Sequence, residues 1–245
     1  MIGRIKRALR NAIECRGYIV RPMSMFGVAM AADVRRLLRN RERPVIIDVG
    51  ANAGQWLMSI LREFPNARVI CYEPDERAFG ELQRTASSLG KVECVRCALG
   101  ATSGRTQLFR NADSVTSSLL PTVAPNSPLP YAEKLRPLDV VEVEVRTLDD
   151  ELARLQIEHV DLLKTDCQGF DLRVLEGGAK IIARGDVDLI ATEALFHQEY
   201  DGQTWFYELM PWLLARNYAL IGIYDALHDA RGRMLFADAL FARQA

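Results

Sequence analysis

From residue 44 onward, apolar and polar positions switch repeatedly between the two-residue period of a strand and the 3.6-residue period of a helix. Val45-Ile46-Ile47-Asp48-Val49 puts four β-branched residues into five positions and reads as a short interior strand of a parallel sheet. A turn of small residues, Gly50 to Gly54, leads into a helix over 55–64. The unit repeats as a strand over 68–73, a helix over 76–88 with Phe79 and Leu82 inward, and a strand over 91–96 that runs into Cys97-Ala98-Leu99-Gly100. Between 104 and 145 the alternation pauses. There, 106–110 and 140–146 read as two added strands around a segment carrying Ser114, Thr116, Ser117, Ser118 and prolines at 121, 125, 128, 130 and 137. A loop this long inside a compact domain predicts a lid or an acceptor-recognition element. Strands over 160–166 and 187–193, helices over 172–184 and 205–217, and a terminal strand pair over 218–224 and 235–243 complete the chain. The turn at 229–232 is too short for a crossover, so the terminal pair must be antiparallel. The expectation is an α/β fold: a seven-stranded, mostly parallel sheet with an antiparallel last strand, plus an inserted β segment.

The N-terminal portion differs in character. Ile2, Ile5, Leu9 and Ile13 recur at helical spacing with Arg4, Lys6, Arg7 and Arg10 on the other faces, Gly17 and Pro22 end that helix, and 28–38 reads as a second one. Residues 1–43 hold eleven Arg and Lys against three acids, a charge of +8 in a chain whose total is -1. The chain therefore divides into a basic helical N-terminal extension, 1–43, and a main domain, 44–245. Two readings of the extension stand side by side: its apolar stripe docks on the body, or it makes a peripheral contact with anionic lipid or another acidic surface.

With 245 residues and 49% hydrophobic content, the chain suits one sizeable domain. It has no run near the roughly 20 apolar residues of a membrane span and no apolar signal core, so the expected location is cytoplasmic, with the inner membrane face as the variant that the basic helix suggests. Five cysteines at irregular spacing argue against a disulfide framework. Cys94 and Cys97 form a C-x-x-C without a second ligand pair, and histidines at 159, 197 and 228 supply none, so no zinc site is expected; Asp166 and Glu193, ending neighbouring strands, are two acids that do not by themselves make a metal site.

Chemistry enters at the first strand end. A dinucleotide fingerprint reads G-x-G-x-x-G, whereas residues 48–54 read D-x-G-x-N-x-G. Asp48 would repel a pyrophosphate and suits a cationic cofactor, which points to S-adenosylmethionine with its sulfonium and ammonium. Gly50 and Gly54 allow close approach of the backbone to a ligand, with Asn52 and Gln55 as further polar partners or as ordinary helix caps. Glu73, 25 residues beyond Asp48, ends the second strand near the offset of about 20 at which an acid accepts ribose hydroxyls. Ala98 and Leu99 would border the adenine, and Ser117 or Ser118 would close over the site.

These motifs, in this order, resemble the FkbM-type S-adenosylmethionine-dependent methyltransferases over roughly residues 44–243. The resemblance rests on residues 48–55, Tyr72-Glu73-Pro74, Ala98-Leu99-Gly100, Ser117-Ser118-Leu119 and 145–149. It continues through 163–171 and Val174-Leu175-Glu176-Gly177 to Asp238-Ala239-Leu240-Phe241. It implies a Rossmann-like class I methyltransferase that methylates a hydroxyl, commonly on a sugar of a glycan, glycolipid or glycosylated natural product. Gln168 stands where the family often has glutamate, which removes a carboxylate from that position.

Methyl transfer from a sulfonium to a hydroxyl needs in-line alignment and a general base. Asp166 at the fourth strand end is the first candidate base, with His197 and Glu193 as the others. Lys164 is expected to pair with a neighbouring acid. Tyr200, Trp205 and Phe206 offer flat faces to a sugar, the latter two equally suiting helix core. A nucleic-acid methyltransferase is supported only by the basic extension, since residues 44–245 are net acidic and would repel a phosphate backbone, so no nucleic-acid partner is expected. The third class is a non-catalytic nucleotide-binding α/β protein.

Overall fold

The computed structural model describes residues 2–22, 25–123 and 129–244. Pro125 and Pro128 of the expected lid lie outside the described residues, as do the side chains of Ile2, Arg4, Ile5 and Lys6. Helices α1 (Ile2–Glu14) and α2 (Met30–Leu37) precede β1 (Val45–Val49), α3 (Gln55–Glu63), β2 (Arg68–Tyr72), α4 (Glu76–Ser87) and β3 (Val92–Val95). Next come the short β4 (Ala98–Leu99), then β5 (Gly104–Asn111) and β6 (Pro137–Arg146). The chain continues through α5 (Leu148–Arg154), β7 (Val160–Thr165), α6 (Asp171–Gly177), α7 (Ala179–Arg184) and β8 (Val187–Leu195). It closes with α8 (Phe206–Leu214), β9 (Tyr218–His228) and β10 (Met234–Arg243).

The main sheet has seven strands in the order β3-β2-β1-β7-β8-β10-β9, parallel except for β10, which runs antiparallel to both β8 and β9. This is the expected Rossmann-like arrangement. Strand periodicity divides the core between two faces. Ile46 and Leu162 meet Val34, Leu57, Ile60 and Leu82 from α2, α3 and α4. Their neighbours Ile47 and Leu163 meet Leu148, Val174, Ile181 and Leu213 from α5 to α8. The inserted strands form a second sheet, β4-β6-β5. Because the winding reverses between β1 and β7, the chain leaves β1 for α3 on one face and β7 for α6 on the other, which opens a crevice at their carboxyl ends, the usual ligand position of such sheets.

Four details depart from the sequence expectation. The helix over 172–184 is two helices that meet at Gly178, where a Cβ would lie 2.6 Å from Leu148 Cδ2. That close approach belongs to α5, an element the periodicity reading lacked. Its signal was the Thr147 cap, whose hydroxyl accepts the Asp150 amide at 3.1 Å. Strand β8 runs past Glu193 to Leu195, which pairs with Phe236, so Glu193 lies inside the strand. Finally, within the α1 stripe Leu9 is 62% exposed and Ile13 half-buried, whereas Val34 of α2 is 1% exposed and belongs to the core. Among the described residues, no helix is long and apolar enough to cross a membrane.

Candidate active site

The turn after β1 sets the floor of the crevice. Gly50 adopts φ +78°, and a Cβ there would sit 2.0 Å from the Asp166 carbonyl oxygen, so only glycine lets the β1 and β7 ends come together. The amides of Gly50 and Ala51 both donate to the Tyr72 carbonyl, at 3.0 and 3.1 Å. Asn52 then turns left-handed (φ +46°), which aims its amide at Glu73 Oε2, 2.8 Å away. The other carboxylate oxygen of Glu73 accepts the Asp75 amide at 2.8 Å. Burial pushes the Glu73 carboxyl up to about 7, against the pull of those two amides.

A cavity of about 240 Å³ opens above this turn. Of the residues anticipated from sequence, Gly50, Asn52, Gln55, Glu73, Ala98, Leu99, Ser117 and Asp166 line it together. Asp48, Gly54, Glu193 and His197 are not among its lining residues. Gly54, at φ +88°, makes room for α4: its Cβ would press on Thr85 and Leu82 at 3.1 and 3.2 Å. Asp48 corrects the sequence reading more sharply. Strand alternation turns it to the same face as Ile46, and parallel register sets it opposite Lys164, whose ammonium lies 3.3 Å from its Oδ1. Asp48 is fully buried; burial raises its pKa and Lys164 opposes the rise.

Lys164 has the acid partners expected of it, Asp48 and Asp166, and also reaches the cavity wall, which the sequence reading did not anticipate. Burial would pull its ammonium down, yet Asp48, Asp166 and Asp238 hold it above the ordinary lysine range. Its Nζ lies 3.4 Å from Asp166 and 5.5 Å from the centre of the Trp56 ring. Asp166 also accepts the Gln168 amide at 2.8 Å, and the same nitrogen lies 3.2 Å from Glu193 Oε1. A carboxylate at position 168 would repel both acids, whereas the amide donates to them. Burial, then Asp166 and Asp171, pushes the Glu193 carboxyl well above the usual carboxylate range.

His197 sits beyond β8, where its amide donates to the Leu235 carbonyl at 3.2 Å and its carbonyl accepts from Gln203 at 2.8 Å. Tyr200 is no platform for a sugar. It is fully buried, with its hydroxyl 2.8 Å from the Thr116 carbonyl and 2.9 Å from Gln168 Oε1. Phe206 packs on Phe196 and Phe241, and Trp205 stacks on Tyr207. The expected lid covers one side of the cavity through Ser114, Val115, Ser117 and Ser118. It is tied down by the Asn52–Ser114 contact at 3.2 Å and by the Ser118 hydroxyl, which donates to the Gln168 carbonyl at 2.8 Å. Trp56 and Phe170 also line the cavity and were not anticipated; each immediately follows a turn motif, but a single aromatic at a helix start carries no periodic signal.

A family model described as the FkbM methyltransferase domain matches residues 48–220 of this chain, from the buried aspartate of β1 into β9. The chain belongs to the FkbM methyltransferase family. The 2-O-methyltransferase NoeI of Sinorhizobium fredii is 28% identical over 170 residues, 68% of this chain and 69% of that protein. Methyltransferase sdnD of Sordaria araneosa is 27% identical over 155 residues, which cover 55% of this chain and 60% of that protein. Among solved structures, an rRNA methylase from Streptococcus thermophilus aligns with a TM-score of 0.49 and 10% identity over 93% of this chain and 99% of that one. Membership of the family makes this chain a methyltransferase and implies S-adenosylmethionine as its methyl donor.

Proposed function

We propose that the chain transfers the methyl group of S-adenosylmethionine to a hydroxyl of a sugar-containing acceptor. The observation that carries this reading is one cavity that unites the amide-locked Glu73 with Asp166. The donor set suits the cofactor: Glu73 would accept the ribose hydroxyls, and Ala98, Leu99 and Val115 supply apolar surface for the adenine. When bound, the cofactor supplies an electrophilic methyl on a sulfonium. Asn52 and Asp75 hold both Glu73 oxygens, so the carboxylate is fixed before any ligand arrives. Ser114, Val115, Ser117 and Ser118 line one side of the cavity, where they would shield the transfer from competing water.

Asp166 is the residue assigned to take the proton of the acceptor hydroxyl. Lys164 and the Gln168 amide hold its two oxygens, which fixes the direction in which the carboxylate can meet the acceptor. The similarity to the 2-O-methyltransferase NoeI supports oxygen as the acceptor atom, and the FkbM resemblance supports a sugar. Calorimetry with S-adenosylmethionine and with NAD, followed by transfer of a labelled methyl to fractionated glycans and lipids, tests the reading. Tight binding of NAD with no binding of S-adenosylmethionine overturns it.

A further inference from the structure

The basic extension combines two properties that the body does not use. The sequence of residues 2–22 carries six cations, Arg4, Lys6, Arg7, Arg10, Arg16 and Arg21, and a single acid, Glu14. Alongside them the chain exposes large apolar side chains: Leu9 at 62%, Tyr18 at 67%, Ile19 at 77%, and Met25 and Phe26 at 50% each. Charge and apolar surface on one segment are the mark of an element that lies in a membrane interface. Nucleic acid would answer the charge but leave the apolar side chains in water. A second copy of the chain would cover the apolar side chains but bring like charges together.

The segment also leaves the body at a particular edge. At the start of α2, Asp33 is buried and accepts both the Gly27 amide and the Tyr224 hydroxyl at 2.7 Å. Tyr224 of β9 is in register with Asp238 of β10, which is in register with Glu193 near the carboxyl end of β8. Residues 25–27 are thereby anchored near the edge of the sheet on which the crevice opens.

We propose that the segment from α1 to Phe26 docks on an anionic lipid bilayer, with the crevice edge of the sheet toward the lipid. The basic residues supply attraction to the headgroups, and Leu9, Tyr18, Ile19 and Phe26 enter the interface; two such signals together are what stable peripheral binding requires. The proposal rests on the extension alone, not on the methyl-transfer reading, and its test is independent of activity. The full chain is sedimented with vesicles of equal parts phosphatidylglycerol and phosphatidylcholine, and with pure phosphatidylcholine, at about 0.1 M salt.

The expected result is partition onto the anionic vesicles only. The double variant Arg7→Glu, Arg10→Glu should reduce that partition at least about tenfold. Leu9→Gln with Ile19→Gln should also reduce it severalfold, with the thermal unfolding of the body unchanged in both. Equal partition onto the two vesicle types, or onto neither, overturns the proposal. Concentration-dependent dimerisation abolished by Leu9→Gln, without vesicle binding, assigns the apolar side chains to a second copy and overturns it. RNA binding lost in the charge variant and retained in the apolar variant, again without vesicle binding, overturns it as well.

Discussion

Replacing Glu73 with glutamine tests the electrostatics of the crevice without changing its shape. The carboxyl is 6% exposed, and its pKa moves from an ordinary 4.5 to about 7 because burial outweighs the two backbone amides. That displacement corresponds to about 3 kcal/mol of linkage between folding and protonation. The sign follows from proton counts: between pH 4.5 and about 7 the folded state binds the proton and the unfolded state does not. Stability from this group is therefore present at low pH and lost as pH rises through the folded value. Glutamine does not titrate, but its amide nitrogen cannot accept from Asn52 or Asp75, a fixed cost of about 1–3 kcal/mol. Urea unfolding of both proteins from pH 5 to 8, without cofactor, should show the stability difference shifting by up to about 3 kcal/mol in favour of Glu73→Gln. Asp238 and Glu199 titrate in the same range but are common to both proteins and cancel in the difference. Parallel profiles would refute the claim that Glu73 is buried at the cost of its charge. Calorimetry on the same variant should show S-adenosylmethionine binding weakened by about tenfold or more, the loss of a charge-assisted hydrogen bond.

Three further outcomes are expected. Asp166→Asn should lower turnover by about 10²–10⁴-fold while the cofactor dissociation constant moves only a few-fold, measured by labelled methyl transfer and calorimetry; retained turnover would remove the base assignment. Lys164→Met strands Asp48 in the core and should cost about 3–5 kcal/mol in urea unfolding, whereas the double change with Asp48→Asn should cost clearly less than the sum of the single changes. Gly50→Ala forces a Cβ toward the Asp166 carbonyl at positive φ and should destabilise the protein by about 2–4 kcal/mol, read by thermal unfolding together with lost cofactor binding.

Local pattern was enough for the architecture. The β-branched run at 45–49, the mostly apolar run at 160–163, the small-residue turn at 50–54 and the short final turn determined a mostly parallel sheet with one reversed strand, because strand period, turn chemistry and crossover length are properties of neighbouring residues. The same pattern brought Gly50, Glu73, Leu99 and Asp166 to one wall of the crevice, since each closes or follows a parallel strand. What escaped the sequence depends on pairs distant along the chain. Asp48 looked like a ligand group, and only the β1–β7 register, 116 residues apart across Asp48 and Lys164, turned it into the buried partner of a lysine that itself reaches the cavity. Gln168 likewise gained its meaning from Asp166, Glu193 and Tyr200, which packing alone brings within hydrogen-bond range. Periodicity states which face a side chain takes; which charge waits on the other side is decided by the tertiary fold, because Coulomb and desolvation energies depend on distance in space and on burial.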